Sequence, residues 1–222
     1  MRTTYRAVVN VVASAVCGVI LAGGWVAGLT GCGSPTDATM NRPNDTPTDP
    51  NYPAGPYGYV MGSTVADYKF SGKTPSDGNY SALPMRDLVL GEFHSEADVK
   101  LLLIEGSANW CYYCNQEAPH VEQMAVDFAS KGVRVMTVLG EGLQRGTPST
   151  PDDIQAWVDA HNFKKTIMAI DPEARLFQYA SASAFPVHIL LDTRTMSIKW
   201  LCVGGVGACD AETAVTATLA AQ

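Results

Sequence analysis

Two cysteines three apart, Cys111 and Cys114, stand in the stretch WCYYC, behind Trp110 and shortly after the apolar run VKLLLIEG. A CxxC pair can hold half of a zinc site, close a structural disulfide, or open and close as a redox couple. The redox chemistry needs a thiolate, because the thiolate is the species that attacks a disulfide sulfur. A cysteine at a helix N-terminus faces unpaired backbone N–H groups and the positive end of the helix dipole, which lower its pKa below the free value of about 8.5. A second cysteine one turn inward can then resolve a mixed disulfide within the chain. Zinc wants four ligands. Cys202 and Cys209, or His120, could complete a set, but zinc knuckles occupy turn-rich segments rather than a buried strand feeding a helix, and no metal is expected. A purely structural bridge between Cys111 and Cys114 would close a very short loop and constrain little of the unfolded chain.

Which of these chemistries is open depends on the compartment, since cytosolic thiols stay reduced and exported ones meet oxidants. Arg2 and Arg6 precede residues 7–29, which are apolar or small apart from Asn10 and Ser14, the form of a basic n-region followed by an h-region. An uncleaved membrane anchor is the alternative, because about 20 apolar residues span a bilayer. The stretch LTGC, ending at Cys32, resembles the bacterial lipobox, which implies cleavage before Cys32 and lipid attachment to it. Gly33 after the lipid site resembles the pattern for outer-membrane sorting in Gram-negative bacteria. Residues 1–31 are thus expected to be a lipoprotein signal peptide, and the protein is expected in the cell envelope, extracytoplasmic or periplasmic. The chain carries 15 basic and 22 acidic side chains; removing the segment removes two arginines and no acids, leaving a net charge of -9. Nucleic acid is an unsuitable partner for such a surface.

The elements that must position the cysteines follow. Residues 32–58 hold six prolines and almost no aliphatic side chains, so they are expected to form a soluble, extended tether. Residues 59–222 are expected to form one domain. Residues 59–98 read as irregular, with an edge strand in TVADYKFSG and a helical turn in SALPMRDLV as options. Val99–Glu105 is a continuous apolar run of strand length, and NQEAPHVEQMAVDFASKG places Val121, Met124, Ala125 and Phe128 on one helical face with Gly132 as a stop. VRVMTVLG is a second strand. STPDDIQAWVDAHN starts a helix with Thr150 as N-cap and Pro151 in first position. KTIMAID reads as a strand, PEARLFQYA as a short helix, PVHILLD and MSIKWLCV as a hairpin, and CDAETAVTATLAAQ as a last helix. The fold class is α/β: a mixed sheet, parallel crossover first and hairpin last, with helices on both faces.

That order, with CxxC at the first strand-to-helix junction, resembles the thioredoxin superfamily over residues 60–222, and within it the membrane-tethered TlpA/ResA-like thiol-disulfide oxidoreductases. WCYYC is similar to the WCxxC redox motif. Glu105, six before Cys111, occupies the position of the buried acid beneath the active site, and Pro119 matches the proline that kinks the active-site helix. Glu117 matches an acid common in the ResA-like branch. AFPVHILLD looks like the loop that carries a cis-proline, which makes Phe185 and Pro186 the substrate-binding residues by resemblance. Residues 141–170 resemble the helix and strand these tethered proteins insert. Two positions depart from the pattern: Tyr112-Tyr113 replaces the usual Gly-Pro or Glu-Pro, and Phe185 stands where a small or branched residue is usual.

The resemblance implies a thiol-disulfide oxidoreductase without a cofactor beyond its own disulfide. It would act as a monomer on client proteins that carry thiols or disulfides, and exchange electrons with a membrane donor or acceptor. Trp110, Cys111, Cys114, Glu105 and Glu117 would form the catalytic site, with Glu105 accepting the proton of Cys114 and only Cys111 open to solvent. Neither a cation nor a histidine is visible beside the nucleophile, and both acids oppose a thiolate, so a reductase or isomerase is expected. His120 and His188 read as surface or core residues. Cys202 and Cys209, flanking VGGVGA, read as a second disulfide, with a pair of inert buried thiols as the alternative; Cys17 leaves with the signal. A thiol peroxidase of the same fold would need proline at 104 and serine or threonine at 108, where the chain has Ile104 and Ala108. A redox-inert surface binding module is the remaining alternative.

Overall fold

The computed structural model describes residues 47, 49–75, 80, 82–176 and 184–222. The expected signal segment, Cys32 and most of the expected tether lie outside these residues. Eight of them, Leu101–Ala108, form the central strand β3, buried at every position. A strand covered on both faces reads as a continuous apolar run, which is why VKLLLIEG has no alternation. The strand runs three residues past Glu105, so this acid sits inside the sheet.

The remaining strands are β1 (Lys69–Lys73), β2 (Arg86–Val89), β4 (Val133–Glu141), β5 (Ile167–Ile170), β6 (Val187–Asp192) and β7 (Ser197–Val203). The sheet order is β2-β1-β5-β4-β3-β6-β7. β3 pairs in parallel with β4 and β4 with β5, whereas β6, β7, β1 and β2 pair antiparallel with their neighbours. The helices are α1 (Leu90–Ser95), α2 (Tyr112–Asp127), α3 (Pro151–His161) and α4 (Ala211–Ala220). Alternate side chains of each strand face opposite layers. Leu101, Leu103, Val133, Val135 and Leu190 pack against Val121 and Met124 of α2, Phe128 just after it, and Ala211 and Val215 of α4. Leu102, Ile104, Met136, Val138 and Ile189 pack on the other face against Leu90 and Phe93 of α1 and Tyr52, Val65 and Tyr68.

Local signals hold the elements that carry the site. Gly132 ends the α2 region in the left-handed conformation at φ 84°, where a Cβ would stand 2.7 Å from the Asp98 carbonyl. At the start of α3 the Asp153 carboxylate accepts from both the N–H and the hydroxyl of Thr150, with Pro151 in the first turn.

Two expectations differ from what forms. Residues 59–98 are not irregular throughout: RDLV, read as a helical turn, is the edge strand β2, and KFSGK lies one strand in from the edge. Both are set by partners far away in sequence, Phe70 against Leu88 and Ser71 against Ile170. The packed structure also starts before residue 59. Tyr52 is buried and donates its hydroxyl to the Val65 carbonyl, Tyr57 bridges Thr64, and Asp49 pairs with His94 at 2.7 Å. The helix read over 172–180 lies outside the described residues from 177 onward.

Candidate redox site

β3 delivers the chain to the N-terminus of α2 through Asn109 and Trp110. Cys111 becomes the N-cap residue of α2, and its sulfur accepts from the Cys114 N–H at 3.2 Å. The two cysteines are joined as a disulfide with Cα atoms 5.3 Å apart. Asn115 braces the turn by donating to the carbonyls of Asn109 and Cys111. Deeper in the helix, the Glu122 carboxylate accepts from the backbone N–H groups of Lys164, Lys165 and Thr166, which locks α2 to the segment leading into β5. The helix dipole is thereby aimed at Cys111 by a fixed scaffold, and no acid occupies the first turn to oppose it.

The expected exposure of Cys111 is not what the fold produces. In the disulfide state Cys111 is 3% exposed and Cys114 is fully buried, while Tyr112 and Tyr113 stand out at 68% and 64%. A three-residue spacing puts the intervening pair on the outer side of the first turn, so these rings take the solvent. Trp110 is clamped beside the cysteines. Its Nε1–H donates to Glu141 at 2.6 Å, the Arg145 guanidinium lies 4.2 Å from its ring, and Phe185 meets it edge-on at 5.7 Å. Phe185 precedes a cis peptide to Pro186, as the loop resemblance implied.

On the α2 face of the sheet a polar row runs through the core. Thr137 of β4 lies opposite Glu105 of β3, Glu105 opposite His188 of β6, and His188 opposite Cys202 of β7. The Glu105 carboxylate accepts from Thr137 and Ser107, each at 2.9 Å. Burial pushes its pKa up to about 7, against the lowering influence of the His188 charge and the two hydroxyls. Glu117, one turn after Cys114 on α2, places a carboxylate oxygen 3.4 Å from His188 Nε2. Burial works against charge on His188, but the Glu117 contact, the Glu105 charge and the Gly204 carbonyl outweigh it and hold the imidazole above its ordinary value.

The second pair of cysteines also closes. Cys202 and Cys209 form a disulfide whose loop leans on the site: the Gly204 carbonyl faces His188 Nε2 at 3.2 Å and the Gly204 N–H donates to the Pro186 carbonyl. A Cβ at Gly205 would stand 3.1 Å from that of Tyr113, so this loop packs closely on the start of α2.

With parallel β3 and β4 crossing over through α2, a CxxC capping that helix and a cis-proline loop beside it, the fold is decided. The chain has the thioredoxin fold. Solved structures with this fold resemble it at low identity. A candidate thiol:disulfide interchange protein DsbE from Chlorobium tepidum is 18% identical, with a TM-score of 0.55 over 72% of this chain and 98% of that one. The exposed lipoprotein thioredoxin Etrx1 of Streptococcus pneumoniae is 18% identical, with a TM-score of 0.50 over 71% and 100%. A 2-Cys peroxiredoxin of Plasmodium vivax is 14% identical, with a TM-score of 0.53 over 74% and 96%. No protein-family model and no curated protein matches the sequence.

The thioredoxin fold thus gathers Trp110, Cys111, Cys114, Phe185 and Pro186 at one end of the sheet, with Glu105 buried inside the sheet and Glu117 buried on α2. Sequence reading missed His188. Its position in a predicted strand is ordinary, and only the register of β6 against β3, with α2 laid across both, makes it the partner of two acids. Glu141 and Arg145, which hold Trp110, were missed because they reach it from the end of β4 and the turn beyond, some thirty residues away in sequence.

Proposed function

We propose that the protein is an extracytoplasmic thiol-disulfide oxidoreductase of TlpA/ResA-like type, working through Cys111 and Cys114. The observation that carries this is the disulfide capping α2, with a buried carboxyl that titrates near neutrality in the strand behind it. Residues 1–31 would direct export and Cys32 would carry the lipid, holding the domain at the membrane on the segment that follows. The extracytoplasmic assignment is supported by the LTGC stretch and by the likeness to an exposed lipoprotein thioredoxin.

In the reducing direction the Cys111 thiolate attacks one sulfur of a client disulfide. A mixed disulfide forms and the other client sulfur leaves as a thiolate. Cys114 then gives its proton to Glu105 and attacks the Cys111 sulfur, which releases the second client thiolate and closes the Cys111–Cys114 bond. Two electrons pass to the client, and a membrane-side dithiol donor must return them. The client segment would lie along Phe185 and Pro186, beside the Trp110 ring. We assign the reductase or isomerase direction. His188 adds an imidazole to the core, but the groups it faces are Glu105, Glu117 and the Gly204 carbonyl, so its charge is directed to these and not set beside the nucleophile.

The Cys114→Ala variant should accumulate covalent complexes with client proteins, and Cys111→Ala almost none. Mass spectrometry of the complexes would locate the link. Clients attached through Cys114 would reverse the roles. A wild-type protein that fails to reduce insulin with dithiothreitol, together with no trapped clients, would make the chain a redox-inert binding module. The peroxidase reading has no support in the site, where Ile104 and Ala108 replace the required residues.

A further inference from the structure

We propose that His188 is a positioning residue for disulfide exchange: set between the buried acids Glu105 and Glu117, it takes a proton at Nδ1 and supplies the positive charge that lets Glu105 ionise.

Its surroundings assign the tautomer. Nε2 lies 3.2 Å from the Gly204 carbonyl and 3.4 Å from a Glu117 oxygen, and both of these groups accept. Nε2 therefore carries the hydrogen, as the network requires. Nδ1 has no hydrogen-bond partner among the described residues. A proton can thus be gained or lost at Nδ1 without breaking any bond that holds the ring.

The charge is needed because of where the acids lie. Glu105 is fully buried in β3, opposite His188 in the ladder, and Glu117 is 1% exposed on α2. Burial of this kind drives Glu105 toward its neutral form unless an opposite charge or hydrogen-bond donors face it. Thr137 and Ser107 supply two donors to Glu105, and among the described residues the one cationic group facing both acids is His188. The groups facing His188 are Glu105 from β3, Glu117 from α2, the Gly204 carbonyl from the loop and, from β7, the uncharged Trp200 ring at 6.0 Å. Without the imidazolium, Glu105 would keep its proton through neutral pH. It could then not accept the one Cys114 must lose. His188 acts through Glu105 and does not touch the sulfurs in this account.

This rests on the proposed oxidoreductase reading, and the test separates the two. In the intact protein with Cys111–Cys114 oxidised, carbon NMR follows the Glu105 carboxyl and nitrogen NMR the His188 ring, with no turnover involved. The His188 ring should titrate at Nδ1, above the ordinary histidine range. In His188→Asn the Glu105 titration should move up by about one pH unit or more, which at pH 6 is about a tenfold loss in the ionised fraction. The rate at which Cys114 resolves a preformed mixed disulfide should show the same displacement in its pH profile. In the His188→Asn/Glu117→Gln protein the displacement should shrink, since a like charge goes with the cation. A lowered melting temperature with an unchanged Glu105 titration would overturn the proposal. So would a wild-type His188 that stays neutral at pH 6, an outcome readable even if the variant does not fold. If Glu105 responds to His188 as expected and the wild type reduces no disulfide, the oxidoreductase reading falls while the charge pairing stands.

Discussion

Among the described residues there are two disulfides, and both sit at a helix N-terminus. By loop-closure entropy the four-residue ring of Cys111–Cys114 and the eight-residue ring of Cys202–Cys209 differ little, about 1.9 against about 2.5 kcal/mol. Ring size therefore does not assign their roles. What differs is how each helix end is satisfied. Cys111 is itself the cap of α2, and the first turn holds no acid. Cys209 stands one residue before the cap of α4, where Asp210 accepts from the Thr213 N–H and hydroxyl, with Glu212 also in the first turn. The positive end of α4 is already answered by a carboxylate, while that of α2 is left to a sulfur. On the proposed reading, the end of α2 would hold a thiolate while the pair before α4 stays closed.

The largest expected effect comes from cutting each bond. Cys111→Ser should abolish insulin reduction, a loss of a thousandfold or more on the scale of a removed nucleophile. Replacing both Cys202 and Cys209 by serine should lower unfolding stability by up to about 2.5 kcal/mol, read by denaturant titration, and leave turnover within about threefold. Equal loss of turnover in both would end the distinction drawn here.

Next in size is the acid buried in β3. Glu105 titrates at about 7 in the fold against an ordinary 4.5. Between those values the folded state holds a proton the unfolded chain has lost, so this group's contribution to stability declines as pH rises from about 4.5 to about 7. His188, held above its ordinary 6.5, adds stability that is complete below pH 6.5 and lost as pH rises through its folded value. Both make the protein firmer at pH 5 than at pH 8. Glu105→Gln should remove up to about 3 kcal/mol of that cost at pH 8, raising the melting temperature there and little at pH 5. The same variant should slow resolution by Cys114 about tenfold or more and leave the first attack by Cys111 nearly unchanged. Equal slowing of both steps would remove Glu105 from its proposed role.

Smaller effects test the helix ends directly. Asp210→Ala should lower unfolding stability modestly through the lost cap, without a change in insulin reduction. Tyr112→Asp would place in α2 the kind of acid that α4 already has. Tyr112 is 68% exposed, so the change should leave stability alone. A surface charge at a helix end is worth roughly 0.3–1 kcal/mol, which predicts attack on a model disulfide slowed about two- to fivefold at pH 7 and less at high salt. An unchanged rate would show that the dipole of α2 does not tune Cys111.

What could be read in the chain alone was local. The CxxC before a helix, the stop at Gly132, the Thr150 cap followed by Pro151 and the closing hairpin are each written within a few residues, because capping, turn chemistry and apolar period act over one or two turns. The buried acid at Glu105 was legible too, as a charge inside an apolar run. Tertiary structure decided the rest. RDLV became an edge strand because β1 pairs with it, and Tyr52 left the tether because a buried partner, the Val65 carbonyl, waited for its hydroxyl. Cys111 was buried by its packing with Ala108, Trp110 and Phe185. His188 became the counter-charge of Glu105 and Glu117 through the register of two strands and the seat of a helix across them. Register is a choice among long-range pairings, and a slip of one residue would have turned His188 to the opposite face of the sheet.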